Sequence, residues 1–305
     1  MNIFAHSKKE EMNIIGLRNG VFAFIIVLLL MPIGHALMVL NEQILVGHKY
    51  LGAFLMGILG VVIFIIGTFK DSKPTFATLM GLVGGILVWT GWIEFSFVWI
   101  AEKNNVAPLM EAGEIATKPE YLVMLSSIGL LLTVCLFYLF SRNNCTFFIW
   151  FQKYFRFRDK IVLSQSGFKK PLAVSTFSES IMILWFFYIL LLVVYDEQIA
   201  GDRHPATFIV GFGSLLWSIY LIAKLIKIQS FDYAIRYAIP TVIIFWNFIE
   251  VIGRWDLFKE IWVHPLEYWW QVSLFFIAFA ALFVFFIISP KFQRKQKHAY
   301  VNVSK

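Results

Sequence analysis

The sequence predicts an all-α polytopic membrane protein, with eight transmembrane helices arranged as two parallel four-helix repeats. Composition is the first reason, since 59% of the 305 residues are apolar and only 15% are charged, as is typical of chains that have lipid as their solvent. The other two reasons are a short motif that occurs twice and a strong asymmetry in where the basic residues fall.

Eight apolar stretches are long enough to cross a hydrocarbon core, which takes about 20 helical residues. They cover residues 21–40, 50–69, 75–101, 121–140, 177–195, 206–226, 233–254 and 268–289. The first stretch is too long for the core of a signal peptide and lacks a small-residue cleavage site, so we expect an uncleaved helix.

The duplication is indicated by polar residues that are rare in membrane spans. Glu-Gln-Ile at 42–44 returns at 197–199, and Ile-Glu followed by Trp at 93–99 returns at 249–255. Because each unit has an even number of spans, the two units should share one orientation and be related by a pseudo-twofold axis along the membrane normal. Chance similarity is the alternative, because apolar segments align easily with one another.

The charge distribution predicts the orientation of the chain. When both termini are placed in the cytoplasm, most of the 26 Lys and Arg residues fall on the cytoplasmic side, as the positive-inside rule requires. Most acidic residues fall on the other side. The net charge of +7 is therefore explained by topology and predicts no nucleic-acid partner. We expect a multi-pass protein of the inner (plasma) membrane.

The domain boundaries follow from the spans. They are a cytoplasmic N-terminal segment at 1–20, a first repeat at 21–141, a linker at 142–176, a second repeat at 177–290 and a basic cytoplasmic tail at 291–305. The linker interleaves Phe and Trp with Lys and Arg, so we expect it to lie on the inner leaflet against anionic lipid. Cys135 and Cys145 are too few for a disulfide framework.

Repeated carboxylates and histidines mark the predicted extracytoplasmic end of the spans. They are Glu42, His48, Glu94 and Glu120 in the first half, and Glu197, His204, Glu250 and Glu267 in the second. Ionisable groups near hydrocarbon usually face a protein interior or a wet cavity. Imidazole and carboxylate together suit zinc, iron or copper, so one prediction is a divalent metal site. The alternative is a set of hydrogen bonds and ion pairs that fix the helix ends.

The two halves differ in the charge beside their repeated Glu. Glu250 precedes Arg254 by four residues, a spacing that predicts a structural ion pair on one helix face. In the first half Val98 stands at the position of the arginine, which leaves Glu94 without a local cation and available for a metal, a proton or a partner. The first repeat is therefore the stronger candidate for a functional site.

The first predicted helix also carries Met31, His35 and Met38 on one face near its outer end. Thioethers together with an imidazole are ligands that suit copper. A methionine stripe at helical spacing is more often packing, and the second half has no counterpart of His35. Both interpretations stay open.

Three classes of function fit these patterns. The first is a metal-binding or redox enzyme, or a subunit of a membrane enzyme complex. The second is a transporter or channel for a small solute or cation, although the helix centres offer few polar residues. The third is a non-catalytic scaffold that docks a periplasmic or membrane protein. The motifs of soluble enzymes, such as the nucleophile elbow and the phosphate loop, are absent, so enzymatic activity is left open.

Overall fold

The fold comes from a computed structural model, which describes residues 2–111, 114–141, 145–156, 158 and 170–288. Within these ranges, seven helices are long and apolar enough to cross a membrane, and a bent pair of shorter helices makes up to eight. The prediction of a helical, multi-pass membrane protein is confirmed at this level. The predicted tail at 291–305 and much of the predicted linker lie outside the described residues.

Most of the long helices begin and end within a few residues of the predicted spans, but α1 begins at Asn2 and ends at Ile44, so it extends beyond the predicted span of 21–40 at both ends. In chain order the helices are α1 (Asn2–Ile44), α2 (Lys49–Phe69), α3 (Pro74–Val88), α4 (Phe95–Lys103), α5 (Pro119–Leu125), α6 (Ile128–Phe140), α7 (Thr146–Tyr154), α8 (Leu172–Tyr195), α9 (Pro205–Leu225), α10 (Phe231–Arg254) and α11 (Trp269–Ile288). A π-helical turn, Trp89–Glu94, joins α3 to α4, so these two helices form one continuous span.

The fourth predicted span is not a single straight helix. α5 and α6 meet at an angle of 54°, with Ser126 and Ser127 at the break. Each serine hydroxyl donates a hydrogen bond to the carbonyl oxygen three residues earlier, at a distance of 2.7 Å. These bonds satisfy backbone carbonyl oxygens at the break.

Helices from the two predicted halves pack reciprocally. α1 packs against α10, and α3 packs against α8, so the first helix of each half contacts the third helix of the other. Within each half the second helix packs on the third, α2 on α3 and α9 on α10. This packing makes one bundle from the two halves. The superposition of the repeats and the orientation in the membrane stay predictions.

The periphery of the bundle is apolar. α2, α9 and α11 expose large apolar side chains along their length, including Phe54, Leu216 and Ile277. Water would make such surfaces unfavourable, whereas a bilayer accommodates them. These helices therefore have the character of lipid-facing spans.

Four loops form one end of the bundle, which we call the acidic end. They comprise residues 45–48, 104–118, 196–204 and 255–268. The second loop contains a short antiparallel hairpin of β1 (Leu109–Glu111) and β2 (Glu114–Thr117), in which Met110 pairs with Ile115. At the opposite end, α7 buries Phe147 and Phe148 against the bundle.

Glycines allow α2 and α3 to approach closely. A Cβ atom built on Gly84 would lie only 2.8 Å from the carbonyl oxygen of Gly60, and one built on Gly91 would lie 2.6 Å from that of Ala53. Both distances are too short for a side chain, so these positions require glycine. The small residues thus determine the spacing of the second and third spans.

We expect Gly84→Ala to destabilise the bundle by about 1–3 kcal/mol, because the methyl group forces α2 and α3 apart. Gly213 in α9 is the matched control, since a Cβ atom there meets nothing within 4 Å. Gly213→Ala should leave stability unchanged or raise it slightly, because alanine favours helix. Thermal unfolding of the two variants in detergent compares them directly, and equal midpoints would contradict the packing argument.

Candidate functional site

A large cavity opens at the acidic end, between α1, α8 and α10. Its volume is about 1160 Å³, and its lining runs from exposed residues such as Arg203 and His264 down to buried Met31 and Leu184. Ligand cavities of proteins typically measure about 300–1,000 Å³, so this one has room for a small molecule together with water.

His35, Tyr188 and Glu250 meet at the cavity, one each from α1, α8 and α10. The Tyr188 hydroxyl lies 3.1 Å from Nε2 of His35, and that nitrogen lies 3.9 Å from a Glu250 carboxylate oxygen. Nδ1 of His35 lies 3.3 Å from the carbonyl oxygen of Met31. Because a carbonyl only accepts, this geometry assigns the ring hydrogen to Nδ1 and leaves Nε2 to accept from Tyr188.

Glu94 extends this set into the interior. Its side chain lies near the Tyr188 hydroxyl and is only 3% exposed. The side chains of His35 and Glu250, by contrast, are 17% and 25% exposed and line the cavity. Glu94, Tyr188, His35 and Glu250 therefore form a buried polar chain that leads from the cavity into the bundle.

The π-helical turn positions Glu94 as its last residue. Gly91 in this turn packs on the backbone of α2, and the indole nitrogen of Trp92 donates a hydrogen bond to the carbonyl oxygen of Phe54, at 3.1 Å. Such single π-turns within helices are frequent at functional sites. Here the turn is fixed against α2 while Glu94 faces α8.

Glu250 is held by an indole on its own helix. Trp246, one turn earlier on α10, donates the hydrogen of Nε1 to the Glu250 carboxylate. The Trp246 ring packs in turn on Trp262, with ring centroids 5.0 Å apart. This support fixes the carboxylate at the cavity wall.

Arg254 joins three parts of the acidic end. Its guanidinium forms a salt bridge with Asp202, donates a hydrogen bond to Oγ1 of Thr117 at 3.1 Å, and lies 4.4 Å above the ring of Tyr195. The charge of Arg254 also acts on Glu250 at longer range. The arginine thereby connects α10 to the α8–α9 loop and to the hairpin.

Glu260, from the loop after α10, adds a further carboxylate to the cavity. Burial raises the pKa of Glu260 to about 7, with a further upward contribution from the negative charges of Glu250 and Asp256. His35 and Arg254 act in the opposite direction. The Glu260 carboxylate packs on Gly253, where a Cβ atom would overlap it.

The second-half residues predicted from sequence fall mostly in this cavity. Glu197, His204 and Glu250 all line it. His204 also caps α9, since its Nδ1 accepts a hydrogen bond from the backbone N–H of Ala206 at 3.2 Å. Glu267 is exposed and is not among the lining residues. The structure thus brings three of the four together.

The first-half residues are distributed differently. Glu42 and Glu120 line a smaller cavity of about 480 Å³, and both lie close enough to Glu94 to act on it electrostatically. His48 is exposed at the start of α2 and lies outside both linings. His35 and Met38 line the large cavity instead. No single cluster of His48, Glu42, Glu94 and Glu120 results.

In the ranges 2–111, 114–141, 145–156, 158 and 170–288, no three His, Cys, Asp or Glu side chains converge as a metal site would require. Met31, His35 and Met38 share the wall of the large cavity, where the copper interpretation stays a prediction. Sequence reasoning missed Tyr188, because an uncharged aromatic residue within a span has the pattern of packing.

Comparison with protein-family models, with curated proteins and with solved structures finds no match. The assignment of a function therefore depends on the cavity, the buried polar chain and the chemistry of the residues around them.

We expect Arg254→Lys to loosen the hairpin, because an ammonium group lacks the planar fork that contacts Asp202 and Thr117 together. Hydrogen bonds of a charged group contribute about 1.5–3 kcal/mol, so amide hydrogen exchange in residues 104–118 should accelerate about tenfold or more. Arg203→Lys is the control, since Arg203 is exposed at the cavity mouth. Equal exchange rates in the two variants would count against the role given to Arg254.

The pKa of Glu260 gives stability a pH dependence of defined sign. The folded protein keeps this proton up to a pKa of about 7, whereas the ordinary value for Glu is 4.5. Stability should therefore fall as the pH rises through this window, by a contribution on the order of 2 kcal/mol.

Melting temperatures from about pH 5 to about pH 8 measure this effect. Glu260→Gln should flatten the decline, because the amide carries no titrating proton. Glu267→Gln, an exposed residue of the same loop, should leave the decline as in the wild type. An unchanged slope in Glu260→Gln would show that the titrating group lies elsewhere.

Proposed function

We propose that the protein is a proton-coupled transporter of a small polar solute, which enters the large cavity from the extracytoplasmic side of the inner membrane. The observation that carries this proposal is the buried polar chain at the cavity. Ionisable groups inside membrane spans are costly, and where they occur they commonly mark substrate or ion pathways and proton relays. The orientation follows from the distribution of Lys and Arg along the sequence.

The arrangement of donors and acceptors suits proton movement. The Tyr188 hydroxyl has one hydrogen, which it donates to one neighbour at a time, and His35, Glu94 and the Tyr121 hydroxyl all lie near it. Rotation of this hydroxyl switches the donated hydrogen bond between a group at the cavity and a group shielded from it. A proton delivered from Glu250 to His35 can thus be passed through the Tyr188 hydroxyl to Glu94.

A second buried carboxylate lies further along the same helix. Glu179 is nine residues before Tyr188 on α8, about 13 Å along the helix axis, and is only 3% exposed. Arg236 and Lys170 act on it electrostatically. Ionisable groups therefore occur at two depths, which answers the objection that the spans offer few polar residues.

Interrupted helices beside the chain supply the means of conformational change. The π-turn ends at Glu94, and the break at Ser126 and Ser127 lies within one to two turns of Tyr121, whose ring packs 5.8 Å from that of Tyr188. Transporters commonly place discontinuous helices at their binding sites, where one part of the bundle rocks against the other. The two interruptions support this kind of motion.

The test is charge movement and solute uptake in proteoliposomes under an imposed pH gradient. The probes are butylammonium, glycine, butanoate and glucose, which represent an amine, a zwitterion, a carboxylate and a sugar. We expect a gradient-dependent current or uptake with one of these classes, reduced about tenfold or more in Tyr188→Phe because the hydroxyl that joins His35 to Glu94 is lost. Tyr220→Phe, on the exposed face of α9, is the matched control.

Two results would contradict the proposal. One is the absence of both a current and uptake driven by the pH gradient with all four classes in a folded, correctly inserted sample. Uptake is measured as well because symport of H⁺ with butanoate, or one-for-one exchange of H⁺ for butylammonium, moves no net charge. The other is an equal current or uptake in Tyr188→Phe and in the wild type. Elemental analysis of the same sample separates this function from the predicted metal-binding enzyme, because stoichiometric copper, zinc or iron lost in His35→Ala would favour the enzyme.

A further inference from the structure

We infer that the solute is an organic cation, a small primary or quaternary ammonium compound bound between the carboxylates of Glu250 and Glu260 and the aromatic wall of the large cavity. The transport of that cation rests on the proposed function, whereas its binding to the cavity does not. Three features of the cavity support the inference: the aromatic rings of its wall and, within the described residues, two carboxylates without a Lys or Arg salt bridge and a buried hydroxyl without a hydrogen-bond partner.

The cations that line the cavity are engaged or lie at its mouth. Arg254 is paired with Asp202, and Lys118 lies 3.9 Å from Glu120. Arg203 is exposed at the rim.

Among the described residues, Glu250 and Glu260 form no salt bridge with Lys or Arg, and Arg254 acts on both only at longer range. Glu250 accepts the indole N–H of Trp246 and faces His35, whose Nε2 accepts from Tyr188 in the assigned tautomer. Glu260 lies close enough to His35 and Glu250 to interact with both electrostatically. When ionised, Glu250 and Glu260 place two negative charges in one partly enclosed cavity, an arrangement that attracts a cation and repels an anion.

Aromatic rings surround these carboxylates. Tyr188, Trp246 and Trp255 line the cavity, and Trp246 packs on Trp262. The ring of Tyr195 also lines it, but Arg254 already lies 4.4 Å above that ring. A cation within about 6 Å of such a ring face is attracted by its quadrupole, by about 2 kcal/mol when the site is desolvated. Carboxylates combined with several rings form the kind of cage that binds ammonium groups, whereas Ca²⁺ and Mg²⁺ prefer oxygen ligands alone.

The hydroxyl of Tyr195 is an independent sign of a ligand. Tyr195 lines the cavity and is 8% exposed, and within the part of the chain that the structure describes its hydroxyl has no hydrogen-bond partner. Buried hydroxyl groups are nearly always satisfied, and an exception calls for a partner. An N–H or O–H group of a bound solute would supply the donor that the Tyr195 oxygen accepts.

The test is binding to the full-length protein in detergent, measured by isothermal titration calorimetry. The probes are tetramethylammonium and butylammonium, compared with butanoate and butanol, which share the alkyl chain but not the positive charge. We expect the two ammonium compounds to bind and the anion and alcohol to bind at least about tenfold more weakly.

Variants locate the site. Glu250→Gln and Glu260→Gln should each weaken ammonium binding about tenfold or more, because each removes a carboxylate charge from the cage. Glu267→Gln, which removes the same charge outside the lining, should match the wild type. Gly253→Ala should weaken binding as well, because its new methyl group displaces the Glu260 carboxylate without removing it.

Binding of butanoate or butanol as tight as that of butylammonium would overturn the inference, as would unchanged affinity in both Glu→Gln variants. The wild-type comparison of cation and anion holds even if a variant fails to fold. A folded protein that binds no ammonium but carries another solute would refute the inference and leave the transporter standing. Ammonium binding without any current or uptake would refute the transporter alone.

Discussion

Ionisable side chains inside an apolar bundle need partners, and at the large cavity each half of the chain supplies a neighbour to the other half. Glu94 from the third span meets Tyr188 from the fifth, Glu250 from the seventh meets His35 from the first, and the hydrogen bond between Tyr188 and His35 links the two pairs. Glu94 is shielded from water, so its carboxyl group depends on protein neighbours for compensation. The packing of α1 on α10 and of α3 on α8 therefore brings these polar side chains together.

Much of the helical framework could be predicted from sequence, because lipid imposes a simple rule on length and polarity. The ends of α2, α8 and α10 lie within about five residues of the predicted limits. The same rule identified Glu94, Glu197 and Glu250 as residues of interest, since carboxylates near hydrocarbon must face something other than lipid. The residues of interest at one end of the bundle could thus be predicted from the sequence alone.

Which of these residues lie together could not be predicted from the sequence, because this depends on tertiary packing. The sequence suggested one cluster per half, whereas Glu42 and Glu120 line a small cavity and His48 is exposed. The large cavity takes His35 from the first half, and Asp202 and Glu260 from loops with no recognisable pattern. The bend at Ser126 and Ser127 was also missed, since a serine hydroxyl within a span fits a straight helix equally well.

The π-turn at Trp89–Glu94 changes how the third span presents its side chains. A wider turn accommodates one more residue than an α-helical turn, so everything after it is rotated by about 100° around the axis. A helical wheel drawn for an unbroken α-helix from Pro74 to Lys103 therefore assigns Phe95 and Val98 to the wrong sector. Deleting one residue inside the turn would restore regular winding and swing the whole distal segment, redirecting its inward face to lipid.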